Sequence, residues 1–329
     1  MGGVAMPSAG FVTLKEIEAA AKRIQNVAIW TPLLPFPELS TDLRGEVRLK
    51  CESLQRSGSF KIRGALNFLD RMPEGELRRG VITYSSGNHG KAVALAAQMK
   101  GVRSVVVMPT TAPRVKVEGV EGFGAEVVFD GTTSLRRKVR AEAVAQEEGL
   151  SMVPPFDDSF VIAGQGTVGK EIAEDWPEVE VVLVPIGGGG LSSGIAAALK
   201  ALLPRVEVVG VEAKGAPSMR TALDAGEPVT LDSIDTIADG LASVRVGDLT
   251  YRHARELFTD VVLVEDEAIR KATALLLNRR KLVVEYSGAT ALGALLSRAV
   301  DVEGRKAAVV LSGGNLDPSL MANLSGYAS

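Results

Sequence analysis

An α/β architecture of two lobes, with twisted, mostly parallel sheets and helices on both faces, is predicted by three features of the 329-residue chain. Short β-branched runs alternate with longer helix-forming stretches, the pattern of parallel βα units. The runs are continuously apolar, so both faces of each strand are expected to be covered. Two prolines in MVPPFDD (152–158) then interrupt the pattern and divide it.

The strand-like runs, in order, are VITY (81–84), VRSVVVM (102–108), AEVVFD (125–130), VVLVPI (181–186), VEVVGVE (206–212), DVVLVE (260–265) and AAVVLS (307–312). Between them, KAVALAAQMK (91–100), LRRKVRAEAVAQEEG (135–149) and SSGIAAALKALL (192–203) have helix-forming composition and end at Gly or Pro, so each serves as a crossover. The first three runs are assigned to a smaller, mobile lobe over 80–155. Residues 1–79 and 156–329 are assigned to a larger one, and a Gly-rich segment, IAGQGT (162–167), opens its second part. A ligand is expected in the cleft between them, at the carboxyl ends of strands.

Composition narrows the function. The chain is 46% hydrophobic and 23% charged, and no apolar run approaches the ~18 residues of a membrane helix. With 37 basic against 40 acidic residues, it carries no electrostatic footprint for nucleic acid or an anionic membrane. One cysteine, Cys51, leaves no intramolecular disulfide and reads as a small buried hydrophobe of a reducing compartment. The start, MGGVAMPSAG, lacks the basic flank and apolar stretch of a signal peptide, so a soluble cytoplasmic protein acting on a small molecule is expected. His253, among charged neighbours in YRHARELF (251–258), is expected at the surface.

Chemistry is expected where strands end in Gly/Ser-rich turns that lead into helices: YSSGNHGKAV (84–93), PIGGGGLSSG (185–194) and LSGGN (311–315). Gly187, Gly188, Gly189 and Gly190 follow a strand and precede a helix, so their N–H groups are placed to cup a phosphate. A tight turn with close helix packing is the other reading, although four consecutive glycines cost more chain entropy than a turn needs. The run is neither GxGxxG nor GxxxxGK[ST]. In SGSFKIRGA (57–65), Lys61 stands beside an aromatic ring among small residues. Most lone lysines are solvated surface charges, but a desolvated one loses its proton readily and forms a Schiff base.

Taken together, ESLQRSGSFKIRGA (52–65), SSGNHG (85–90), PFDD (155–158), IAGQGT (162–167), PIGGGG (185–190), IADG (237–240) and SGGN (312–315) resemble, in this order, the fold type II pyridoxal 5'-phosphate (PLP) enzymes of the threonine/serine dehydratase and serine racemase family. The resemblance spans most of the chain and implies a tryptophan synthase β-like fold with the cofactor between the lobes. It implies that Lys61 holds PLP as an imine and acts as nucleophile and general base, while Phe60 packs near the pyridine ring. It assigns Asn88 to the phenolic oxygen, the four glycines to the phosphate and Ser312 to the pyridine nitrogen. Ser85, Ser86, Asn88 and His89 would receive the substrate carboxylate. A hydroxyl does not keep the pyridine nitrogen protonated, so the ring is a weaker electron sink and β-elimination is favoured over transamination.

The resemblance thus implies a lyase that converts L-threonine, and L-serine, to a 2-oxo acid and ammonia. Two other activities stay open: serine racemisation, with Ser86 handling a proton on the second face of the cofactor, and dehydration of another β-hydroxy amino acid such as 3-hydroxyaspartate. Phe156 in PFDD points toward the dehydratases, and Tyr286 in EYSGAT departs from the proline commoner there. A silent amino-acid sensor is the alternative outside enzymology. The family's Mg²⁺ or Ca²⁺ site would fall on Glu212 and the Ala216 carbonyl, but Ser218 stands where metal-dependent members carry a second acid. The family also implies a homodimer, and the chain's end soon after SGGN implies no carboxyl-terminal regulatory domain.

Overall fold

The computed structural model describes residues 10–85 and 87–324. The chain begins with α1 (Leu14–Ile24), β1 (Leu33–Pro35), α2 (Pro37–Leu43), β2 (Glu46–Lys50), α3 (Lys61–Leu69), α4 (Glu74–Arg79) and β3 (Val81–Thr83). It continues through α5 (Asn88–Lys100), β4 (Ser104–Met108), α6 (Arg114–Glu121), β5 (Glu126–Phe129), α7 (Ser134–Glu148), β6 (Ser151–Met152) and α8 (Ser159–Asp175). Then come β7 (Val181–Pro185), α9 (Gly190–Leu202), β8 (Glu207–Ala213), α10 (Ser218–Ala225), α11 (Asp248–Leu257), β9 (Asp260–Val264), α12 (Asp266–Leu275), α13 (Tyr286–Leu296), β10 (Lys306–Val310) and α14 (Pro318–Leu324). None of the described helices is long and apolar enough to cross a membrane.

Two sheets result, one of six strands in the order β1-β2-β10-β7-β8-β9 and one of four in the order β5-β4-β3-β6. All pairings are parallel except β1 with β2. Each predicted run is a strand, and the crossover helices lie where they were expected. In β7 the side chains alternate between faces: Val181 and Leu183 enter a core with α2, α12 and α13, whereas Val182 and Val184 enter one with α1, α8 and α9. That double covering is why the run is apolar throughout.

The strands that escaped prediction, β1, β2 and β6, lack this signature. In β2, Val47 and Leu49 are buried between the half-exposed Glu46 and Arg48, so the strand reads as a charged segment. β1 contains a proline and β6 is two residues long. One expected turn also differs. LSGGN does not lead directly into a helix; Gly313 forms a bridge with Ser59, and α14 starts only at Pro318. IAGQGT lies inside α8, where its glycines let helices touch. A Cβ on Gly164 would stand 2.6 Å from the Arg63 carbonyl oxygen, and one on Gly194 would stand 2.4 Å from that of Ile162. α3, α8 and α9 therefore stack almost backbone to backbone, and α3 also packs Ile62, Ala65, Leu66 and Leu69 against α5.

A buried charge network fixes the start of α3. Arg63 donates Nε and Nη2 to the two oxygens of Glu52 at 2.8 Å each, and Nη1 and Nη2 to Glu171 at 2.5 and 3.0 Å. Nη1 also reaches Thr167 Oγ1, and Nη2 the Ile29 carbonyl, at 3.0 Å. Lys50 Nζ completes the set at 2.7 Å from both Glu171 Oε2 and the Thr31 carbonyl. Asp175 Oδ2 lies 3.6 Å from the same ammonium, so two cations meet three carboxylates, and although burial opposes it the guanidinium holds Glu52 below its ordinary range. Arg63→Met would leave Glu52 and Glu171 buried without their shared partner. A loss of about 3–5 kcal/mol of stability is expected, read as a lowered urea midpoint.

His253 departs from expectation: it is fully buried. Its Nε2 accepts from the Val12 N–H at 3.0 Å, its Nδ1 lies 2.8 Å from the Leu249 carbonyl, and the Phe11 ring packs 5.0 Å away. The segment is the helix α11, and the histidine is covered because the segment before α1 folds over it. Only the neutral ring fits both bonds, and burial pulls its pKa below the usual histidine range. The unfolded chain therefore takes up this proton first, so the stabilisation is complete above the ordinary value of 6.5 and is lost as pH falls below it. Glu212 and Glu285, with raised pKa values, act in the opposite sense. Against His253→Gln, the wild type should lose relative stability as pH falls through the ordinary histidine value of 6.5, a difference that thermal melts of the pair would isolate.

Candidate active site

Lys61 opens α3 in the segment between the two sheets. Its Nζ donates to the Pro155 carbonyl at 2.6 Å and lies 5.3 Å from the Phe60 ring centre, and no carboxylate pairs with it among the described residues. Desolvation without a counter-charge pulls its pKa from 10.5 down to about 8. The amine is thus far closer to neutrality than a surface lysine.

The 154–158 loop stitches this lysine to the glycine run. Pro155 accepts from Lys61, and the next residue, Phe156, packs its ring where a Gly188 side chain would begin, 2.1 Å from an ideal Cβ. Asp157 accepts from the N–H groups of Asp248, Leu249 and Thr250 at 3.0–3.2 Å and so caps α11. Asp158 caps α8 through the N–H groups of Phe160 and Val161. PFDD is therefore a junction of two helix caps and a ring. Its motif was visible in the sequence, but its three attachments were not.

The run 187–190 is glycine because its surroundings leave no space for side chains. A Cβ on Gly187 would stand 3.0 Å from Leu241 Cα, and one on Gly189 would stand 2.8 Å from Thr250 Cβ. Gly189 also has φ +94°, the left-handed region that favours glycine. Thr250 Oγ1 donates to the Gly188 carbonyl at 2.7 Å, and Ser192 Oγ and Ser193 N to that of Gly189 at 3.1 and 2.9 Å. No described protein group accepts from the N–H groups of Gly187, Gly188 or Gly189, which stand at the positive end of α9.

The Ser59–Gly313 bridge and a 3.2 Å bond from the Phe60 N–H to the Ser312 carbonyl bring the 312–315 turn beside Lys61. The Ser312 side chain is buried, and its hydroxyl bonds to no described protein group. Asn88, first residue of α5, donates Nδ2 to Glu285 Oε1 and accepts at Oδ1 from Asn315 Nδ2 at 2.7 Å. Gly313 leaves room for this pair: a Cβ there would stand 2.1 Å from Glu285 Oε1. Burial pushes the Glu285 carboxyl up to about 7, with Asp239 adding to the rise. Glu285 and Asn315 stood inside recognised segments, but only their contacts show them acting on Asn88.

His89 is buried beside Lys61 with Nε2 3.1 Å from the Val153 carbonyl and no partner for Nδ1. Burial, with the Lys61 charge adding to it, pulls its pKa down to about 3. A carbonyl only accepts, so Nε2 carries the proton and Nδ1 offers a lone pair. With its ring N–H on the Val153 carbonyl, the backbone N–H is the His89 donor left free to turn toward a carboxylate. Ser85 Oγ accepts from the Gly87 N–H at 3.3 Å. Ser86, expected to touch substrate and to move a proton, lies outside the described residues.

The expected cation ligands have other work. Glu212 is fully buried, and its oxygens accept from the N–H groups of Met219 and Arg220 at 2.7 and 2.9 Å, capping α10. The Ala216 carbonyl accepts from Ser218 N at 3.0 Å. Among the described residues no cluster of three or more His, Cys, Asp or Glu is poised for a metal ion. Cys51 is buried with its pKa pushed up to about 12, an unreactive core thiol.

A family profile described as pyridoxal-phosphate dependent enzyme matches residues 24–313. The L-threonine ammonia-lyase of Thermotoga maritima is 42% identical over 310 residues, which cover 94% of this chain and 77% of that protein. The catabolic L-threonine dehydratase of Escherichia coli K12 is 41% identical over 318 residues, 96% of this chain and 97% of that one. Among solved structures, maize serine racemase superposes with a TM-score of 0.92 at 37% identity, covering 96% and 97% of the two chains. An unpaired lysine, a glycine cradle and an unpartnered serine hydroxyl in this two-sheet frame agree with those likenesses, and the chain belongs to the pyridoxal-phosphate-dependent enzymes of the fold type II threonine/serine dehydratase family.

Proposed function

We propose that the protein is an L-threonine ammonia-lyase that also accepts L-serine, releasing 2-oxobutyrate or pyruvate with ammonia. The observation that carries this reading is Lys61, a desolvated amine with no carboxylate partner, facing the Pro155 carbonyl. The identity with proteins named for threonine deamination supports the substrate.

The residues present fit PLP. The unpartnered N–H groups of Gly187, Gly188 and Gly189 would hold its phosphate, Ser312 its pyridine nitrogen, Asn88 its phenolic oxygen and Phe60 one side of the site. When bound, PLP supplies an aldehyde that condenses with amines and a ring that draws electrons from the bonds at the substrate's α carbon. Lys61 Nζ, desolvated and without a counter-charge, would hold the cofactor and, once released, would take up the α proton of the substrate. Ser312 would offer the ring nitrogen a neutral hydroxyl and not a carboxylate, which suits loss of a β-hydroxyl better than transamination. His89 remains neutral beside Lys61, so it does not compete for the proton that Lys61 carries. The first turn of α5, with Ser85 and Ser86 before it, receives the carboxylate through N–H groups.

PLP-loaded protein mixed with L-threonine, L-serine or 3-hydroxyaspartate should release 2-oxo acid fastest from threonine, and Lys61→Ala should lower the rate about a thousandfold or more. Oxo acid from 3-hydroxyaspartate alone would reassign the substrate. D-serine formation without oxo acid, read on a chiral column, would establish racemisation, and no product from any substrate would favour a silent sensor. Capture of PLP by the apoprotein should accelerate as pH rises through about 8, where Lys61 loses its proton, and not through the ordinary lysine value of 10.5. Stopped-flow absorbance reads this directly.

A further inference from the structure

Lys91 is half-buried on the first turn of α5, three residues beyond Asn88 and hence on the same face. A lysine brought partly out of water ordinarily finds a carboxylate, but among the described residues none pairs with it. Its ammonium donates instead to Asn315 Oδ1 at 2.9 Å. Asn315 Nδ2 donates to Asn88 Oδ1 at 2.7 Å and to the Ser57 carbonyl at 2.9 Å, and Asn88 Nδ2 donates to Glu285 Oε1. The side chains therefore form one directed relay from Lys91 to Glu285.

Its direction follows from its ends. An ammonium has three donors and no acceptor, so Asn315 must turn its oxygen to Lys91 and its NH2 away. The Ser57 carbonyl can only accept, which agrees with that orientation. Asn88 must then turn its oxygen to Asn315, leaving its own NH2 for the far side. The fold makes room for this arrangement at two glycines. A Cβ on Gly58 would stand 2.4 Å from Asn315 Oδ1, and one on Gly313 would stand 3.0 Å from Asn88 Nδ2. Ser57 has a left-handed φ of 61°, uncommon for a non-glycine residue, in the turn that presents its carbonyl to Asn315.

We propose that Lys91 and Asn315 are positioning residues that set the amide polarity of Asn88, holding its NH2 and not its oxygen toward Glu285 and the phenolic oxygen of PLP. The assignment rests on Asn88 being the partner of that oxygen, as proposed above. An N–H donor there favours the ionised phenolic oxygen, and a carbonyl oxygen repels it. Lys91 thereby acts on the cofactor through two residues, Asn315 and Asn88, by choosing which end of an amide faces it.

The test is the visible absorption of PLP-loaded protein, as the ratio of the long-wavelength band of the ionised phenolic oxygen to the short-wavelength band. Lys91→Arg keeps a donor-only group and should retain the wild-type ratio. Lys91→Met removes the anchor but leaves the Ser57 carbonyl, so a fall of about two- to threefold is expected, a fraction of one hydrogen bond. Lys91→Glu puts an acceptor at the head of the relay and should lower the ratio about tenfold, with a similar rise in the Kd of PLP. Asn315→Asp cannot donate to Asn88 and should match Lys91→Glu, which covers the case in which that variant misfolds in a thermal melt. Equal ratios in the Met and Glu variants, or wild-type ratios in both Lys91→Glu and Asn315→Asp, would overturn the assignment. If the wild-type spectrum does not differ from that of Lys61→Ala, the cofactor is not on Lys61. The proposed function then fails first and takes this assignment with it.

Discussion

The buried guanidinium of Arg63 is the interaction on which the rest of the molecule depends. It joins Glu52, at the end of β2, to Glu171, in the middle of α8, and it does so from the first turn of α3. Lys50 adds a second cation from β2 itself, and Thr31 and Ile29 supply acceptors from the preceding loop. Replacing such a network with apolar side chains need not weaken a protein, but removing a single member leaves charges that water cannot reach. The gain lies in specificity, because two bidentate pairs allow only one placement of α3. Lys61 stands two residues from Arg63, so its position follows from a network that contains none of the reacting groups.

Close backbone contact supplies the second half of that placement. Gly64 and Gly164 let α3 and α8 approach until a methyl group would not fit between them, and Gly166 and Gly194 do the same for α8 and α9. The helix that starts with Lys61 and the helix whose positive end faces the glycine cradle are thereby both registered against α8. Phe156, Asp157 and Asp158 close the arrangement from the far side, since three consecutive residues meet the cradle, α11 and α8 in turn. The same loop also supplies the carbonyl that Lys61 faces.

Glu212 and Glu285 show how burial alone does not assign a role. Both carboxyls are raised to about 7 by desolvation. Glu212 spends its oxygens on the N–H groups that open α10, a structural duty. Glu285 meets a side-chain amide at the edge of the site and forms the end of the Lys91 relay. The neighbour decides the function: for Glu212 it stands seven and eight residues further along, and for Glu285 it stands 197 residues away.

The sequence by itself determined the parallel α/β class, seven of the strands and the small-residue turns. It did so because covering a strand on both faces demands an unbroken apolar run, and because backbone meeting a ligand or another backbone demands glycine. It also pointed to Lys61, the four glycines, Asn88 and Ser312 through ordered motifs. Only the tertiary structure decided what those residues touch. β2 hid behind alternating charges, and His253 became buried because the segment around Phe11 and Val12 folds over it. His89 spends its ring N–H on the Val153 carbonyl, and Glu212 became a helix cap. Nor does any local pattern announce that Lys91, Asn315, Asn88 and Glu285 form one relay. Residues 88 and 315 are 227 positions apart, and an amide's polarity is set by the partners that folding brings to it.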